Sequence, residues 1–186
     1  MAISLKSLLI SGLIAPMTIG VAIAATPFDE PTNETERAEL IDRLMKERSW
    51  NDALAQIEKG LAVNPMSAQL KFKRAVVFER KGNIPRAKAL LEDLIEAYPE
   101  IAEPYNNLAV IYANEGNTTR AQGLLQKAVT INPRFGLAHE NLGDLYLQKA
   151  IAHYKDAVKA QPKNNRMARK LKAAEGLVCY IQKHRH

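Results

Sequence analysis

Disulfides are the first thing this sequence lacks, since Cys179 is the one cysteine in 186 residues. No internal bridge can form, so packing has to hold the fold. The thiol serves as a small side chain or links two chains. Catalytic signatures are missing as well: no G-x-x-x-x-G-K, G-x-G-x-x-G, H-E-x-x-H or G-x-S-x-G motif occurs. If one helix carries both His139 and His153, they stand about four turns or 21 Å apart, too far to share a metal ion. His184 and His186 suggest adventitious binding at most. Acid pairs such as Glu39 and Asp42 read as solvated helix surface, not as a catalytic dyad. The expectation is a protein without metal, cofactor or enzymatic activity.

Strand signals are also absent. Val, Ile and Thr do not alternate with polar residues, aromatics make up 6%, and Gly and Pro number nine each. Ala, Leu, Lys, Glu and Arg are plentiful within a chain that is 47% apolar and 25% charged. That balance predicts a globular, all-α fold.

The only long apolar run opens the chain. Lys6 precedes an apolar stretch from Leu8, and small residues close it at Ala22-Ile23-Ala24. That order predicts a signal peptide over 1–24 and export, with a bacterial periplasm as the destination. An uncleaved anchor is the alternative, but Gly12, Pro16 and Gly20 interrupt the run. Residues 25–33 follow as a linker, kept extended by Pro27 and Pro31. Charge is uneven too. Residues 163–186 hold seven Lys/Arg against Glu175 alone, a net +6, which equals the formal charge of the whole chain. Residues 25–162 come to −1. The basic character belongs to a tail.

Proline is scarce but regularly placed. Pro65, Pro99 and Pro133 recur at one equal stride, which divides the chain into windows 34–67, 68–101 and 102–135. The third window carries Tyr105, Leu108, Ala109, Tyr112, Gly116, Ala121, Leu125, Ala128 and Pro133. The second shows Ala75, Phe78, Gly82, Ala87, Leu91 and Pro99 at matching places. The pattern resembles the tetratricopeptide repeat family, whose unit of about 34 residues is a helix–turn–helix. The resemblance spans about residues 34–162. It implies a helical-hairpin solenoid, with 163–186 as a basic C-terminal capping helix and tail. Repeat one departs most: Ile41 stands where a small residue is usual and Arg48 where glycine is.

Each recurring residue has a physical task. Gly82 and Gly116 end first helices by adopting a backbone conformation that other residues resist. Ala87, Ala121 and Ala128 let paired helices approach to about 8–10 Å. Pro65, Pro99, Pro133 and Pro162 stop the second helices.

The stride fails once. Pro162 follows Pro133 five positions too soon, and the missing five are those that would turn the chain. From Leu145 to Gln161 there is no Gly, Pro, Asn or Ser. A single helix from about Leu137 to Ala160 is therefore predicted, a tight turn at Leu147-Gln148-Lys149 being the alternative. Such a helix leaves apolar surface to be covered by the tail or by a second copy of the chain as a homodimer.

What the resemblance implies for function is partner binding in a groove lined by the first helix of each repeat. The positions are Ala38, Asp42 and Met45, then Phe72, Val76 and Glu79, then Asn106, Val110 and Asn114, then Glu140 and Asp144. Asn106 offers an amide to a peptide backbone, and the four carboxylates favour a basic or neutral protein or peptide partner. The expected function is a non-catalytic exported scaffold assisting assembly of a cell-envelope complex. The alternative is a peripheral membrane protein that contacts lipid through 163–186. Nucleic acid is not an expected partner, because no aromatic residues interleave the tail's charges.

Overall fold

The structure, a computed structural model, describes residue 31 and residues 33–184. The expected signal peptide and most of the linker lie outside the described residues. Eight helices and no strand occur among the described residues: α1 Glu34–Lys46, α2 Trp50–Val63, α3 Ala68–Arg80, α4 Ile84–Ala97, α5 Ala102–Asn114, α6 Thr118–Ile131, α7 Gly136–Ala160 and α8 Asn165–Lys183.

Local chemistry sets the helix ends. The Asn33 side chain accepts from the Glu36 amide and donates to the Glu36 carboxylate, each at 2.9 Å, a reciprocal cap for α1. Asn83 and Asn117 cap α4 and α6 by accepting from Arg86 and Arg120 amides at 3.2 and 3.1 Å. The first helices of repeats two and three close on Gly82 and Gly116, with φ of 78° and 81°. The amides of Asn83 and Asn117 return to the carbonyls of Phe78 and Tyr112 at 2.9 and 2.8 Å, satisfying carbonyls left over at the helix end. Pro65, Pro99, Pro133 and Pro162 each fall two residues beyond a second-helix end. The proline stride thus measures one helical hairpin, as the spacing implied.

Alanine makes the pairs close. Ala87, Ala121 and Ala128 are wholly buried. One core cluster runs from α3 through the start of α7, and a second joins α1, α2 and Val77 of α3. Ile41, the bulky residue in a small-residue position, is fully buried in that second cluster.

Helix α7 is the single rod expected from the missing turn, 25 residues and about 37 Å long. Its buried residues are Ala138, Leu142 and Leu145, all in the first half. Helix α8 folds back along the second half, with Lys155 Nζ 3.3 Å from Glu175 and the Lys170 ammonium 5.8 Å from the Tyr154 ring centre. No described residue of α8 is buried.

Candidate partner-binding surface

The first helices α1, α3, α5 and α7 repeat the groove positions at one stride, except that Asn114 stands one residue beyond the equivalent of Met45 and Glu79. The residues divide by exposure. Asp42, Asn114 and Glu140 are exposed; Ala38, Met45, Phe72, Val76, Glu79, Val110 and Asp144 are half-buried. Asn106 is 1% exposed.

Two hollows gather subsets of them. A cavity of about 270 Å³ between α5, α6 and α7 is lined by Val110, Asn114 and Asp144, together with Asn141, Leu145 and Gln148. A larger one, about 540 Å³, lies between α1, α2 and α3. Its walls are Met45 and Val76 with Lys46, Arg48, Trp50 and Arg80. Neither hollow takes in Ala38, Asp42, Phe72, Glu79, Asn106 or Glu140.

Two expectations change at this point. Asn106 does not present its amide to a peptide. Its Oδ1 accepts from Asn141 Nδ2 at 2.8 Å and its Nδ2 donates to Asn107 Oδ1 at 3.2 Å, so it ties α5 to α7. A buried amide left unbonded would be costly, and these bonds are the reason it tolerates its place. The count of carboxylates also misleads. Asp42 is paired with Lys73 at 2.5 Å, and three cations surround the Met45–Val76 cavity. The surface therefore carries Lys46, Arg48 and Arg80 alongside Glu79 at its α1–α3 end, and Glu140 and Asp144 at its α7 end.

Sequence reasoning missed Lys46, Arg48, Trp50 and Arg80. All four sit at helix ends of the least regular repeat or of its neighbour, where the signature gives no guide. The signal that was present is Arg48 itself, a cation in a glycine position. Its φ is 60°, and it is the one residue other than glycine with positive φ among the described residues.

A cluster of charges lies around Tyr112, between α4, α5 and α6. Its hydroxyl donates to Glu92 at 2.9 Å, and Lys88 and Arg120 lie 4.0 and 4.4 Å from its ring centre. Burial, then the Glu92 bond, pushes the phenol above its ordinary value. The Lys88 ammonium, bonded to Glu115 at 2.7 Å, is also raised, with that bond as the main cause. These contacts fasten helices together and stand outside both hollows. Among the described residues no group of three or more His, Cys, Asp or Glu is arranged to hold a metal ion, and no helix is long and apolar enough to cross a membrane.

Comparison with known proteins agrees with this architecture. A family model described as tetratricopeptide repeat matches residues 39–102 and 77–134. No curated protein matches the sequence. Among solved structures, one described as Naa15/Naa10 bound to HypK-THB is similar at 17% identity and a TM-score of 0.56. The match covers 80% of this chain and 23% of that one, so this chain spans about a quarter of its length. A thermophilic TPR protein of Thermus thermophilus is similar at 20% identity and a TM-score of 0.56, covering 78% and 82%. The first TPR of Spaghetti (RPAP3) bound to the HSP90 peptide SRMEEVD is similar at 15% identity and a TM-score of 0.55, covering 61% and 90%.

Proposed function

The chain belongs to the tetratricopeptide repeat family, and from that membership we propose that it is a non-catalytic, exported interaction scaffold that helps assemble a cell-envelope complex. Proteins of this family generally mediate protein–protein interaction. One observation carries the assignment of the surface: a hollow that combines Met45, Trp50 and Val76 with Lys46, Arg48 and Arg80. Apolar walls ringed by cations suit an apolar side chain next to an acidic one on a single extended segment. Two similar structures hold partners on other proteins of this fold, HypK-THB in one and the HSP90 peptide SRMEEVD, which carries both acidic and apolar residues, in the other. Export rests on the order of residues 1–24, with the mature chain starting at Ala25.

Val76→Glu tests the surface, since Val76 is half-buried in the cavity wall and belongs to neither core cluster. A partner captured from envelope extract by the native chain should be lost with Val76→Glu, and purified partner should show the same loss. Capture unchanged by Val76→Glu would remove the cavity from the binding surface. Fractionation with N-terminal sequencing tests export, and a chain retaining residues 1–24 in the cytoplasm would refute it.

A second reading rests on α8, where Leu177 and Tyr180 are exposed beside Arg166, Arg169, Lys170 and Lys172. Such a helix can lie on anionic lipid. Flotation with anionic liposomes that is lost on deleting residues 163–186 would favour it.

A further inference from the structure

Repeat three shows what a closed hairpin looks like. Its Tyr112 is 4% exposed, and Ala109 is fully buried beneath the second helix. One stride later Tyr146 takes the place of Tyr112 and is 46% exposed. Gly143 takes the place of Ala109, and a methyl group added there would meet nothing within 4 Å. Counting back from Pro162 as from Pro133, Ala150, Tyr154 and Ala157 stand for Ala121, Leu125 and Ala128. The repeat-three residues are at most 2% exposed, whereas all three in repeat four are only half-buried. Both halves of a hairpin interface are present on α7, and a straight rod cannot close on itself.

We infer that a second copy of the chain closes it: two α7 helices lie antiparallel about a two-fold axis at Gln148, each completing the other's fourth repeat. The register follows from repeat three. There Tyr112 is to Ala121, and Leu108 to Leu125, as residues equidistant from the hairpin's midpoint. Counted outward from Gln148, Tyr146 meets Ala150 of the partner subunit, and Leu142 meets Tyr154 of the partner subunit. The contact is isologous, so it forms twice and leaves no open end.

Charge supports the same arrangement. Lys73, sixth in its repeat, pairs with Asp42, ninth in the repeat before. Counting a fifth repeat from Asn165, its sixth residue is Lys170, and the ninth of repeat four is Asp144. Within one chain Lys170 sits over Tyr154, ten residues along α7 from Asp144, about 15 Å away along the axis. In the exchanged pair, Lys170 of the partner subunit reaches Asp144 as Lys73 reaches Asp42. This inference does not depend on the α1–α3 cavity binding anything.

The test is sedimentation velocity of the full mature chain over about a hundredfold range of concentration, where mass action exposes a dimer. A dimer is expected. Gly143→Leu adds a side chain that has open space in one copy but obstructs close approach of two, so the dimer dissociation constant should rise by about tenfold or more. Helix content should be unchanged. Replacing Leu147 and Gln148 with the seven residues Ala113–Thr119 restores the missing five and should give a monomer with the same helix content. Asp144→Lys and Lys170→Asp should each weaken the dimer, and the two together should restore it. A native chain that is monomeric throughout the range, or a Gly143→Leu dimer as tight as the native one, would overturn the inference.

Discussion

Arg48→Gly should stabilise the protein. The three first helices α1, α3 and α5 end in the same motif, in which the residue two beyond the helix adopts positive φ and the next amide bonds back by five residues. For α1 that amide is Ser49, bonded to the Leu44 carbonyl at 2.9 Å, and the positive-φ residue is Arg48 rather than Gly. A side chain in the left-handed region costs roughly 1–2 kcal/mol, because its Cβ approaches a carbonyl oxygen. Glycine removes that strain but raises the entropy of the unfolded chain, a loss of about 0.5–1 kcal/mol. Strain relief wins by about 0.5–1 kcal/mol, a rise of roughly 1–4 °C in melting temperature for a chain of this size. Because repeat arrays need not unfold in one step, hydrogen exchange at the Ser49 amide is the sharper assay, and it should slow.

The reverse change supplies a control. A side chain at Gly82 would meet nothing within 4 Å, so Gly82→Arg costs only conformational strain and should destabilise by a similar amount. If Arg48→Gly is neutral or harmful while Gly82→Arg destabilises, then contacts of the guanidinium outweigh the backbone, and the reasoning fails. The strain also has a functional reading: Arg48 lines the hollow assigned to the partner. A more stable Arg48→Gly chain that binds its partner less well would show what the strained cation is kept for.

Three further outcomes can be checked by thermal or denaturant unfolding. Ala121→Leu puts extra methylenes between α5 and α6 where no space exists, and should destabilise by about 1–3 kcal/mol. Asn106→Leu removes the acceptor of the Asn141 amide inside the α5–α7 contact and should cost about 1–3 kcal/mol, whereas an exposed asparagine would tolerate the change. Tyr112 and Lys88 are both raised in the folded state, from ordinary values of 10.0 and 10.5. Their contribution is complete below about pH 10 and is lost as pH climbs through the raised values, so melting temperature should fall on the alkaline side. Tyr112→Phe should flatten that fall; an unchanged slope would assign it elsewhere.

What was legible in the sequence, and what was not, has one physical cause. Positions whose role is backbone or close packing recur once per repeat because each hairpin meets the same steric demand. Pro99, Gly116 and Ala121 could therefore be placed before any coordinates, and the fused α7 followed from residues that could not make a turn. Surface chemistry has no such stride. Asn106 and Glu140 share one position in their repeats, yet one is buried and bonded across α7 and the other is exposed. Which of these occurs depends on the next helix, which the position itself does not encode. The Lys46–Arg48–Arg80 cluster is further removed still, since it needs two helix ends brought together by the stack. The regular positions thus specify a scaffold. Its individuality lies where the rule is broken: Arg48 in a glycine place beside a cavity, and a turn deleted from repeat four that leaves two complementary faces on one rod. Each departure carries a penalty, one in backbone strain and one in exposed apolar surface, and on the proposals made above it is binding, by a partner at Arg48 and by a second copy at α7, that gives each its use.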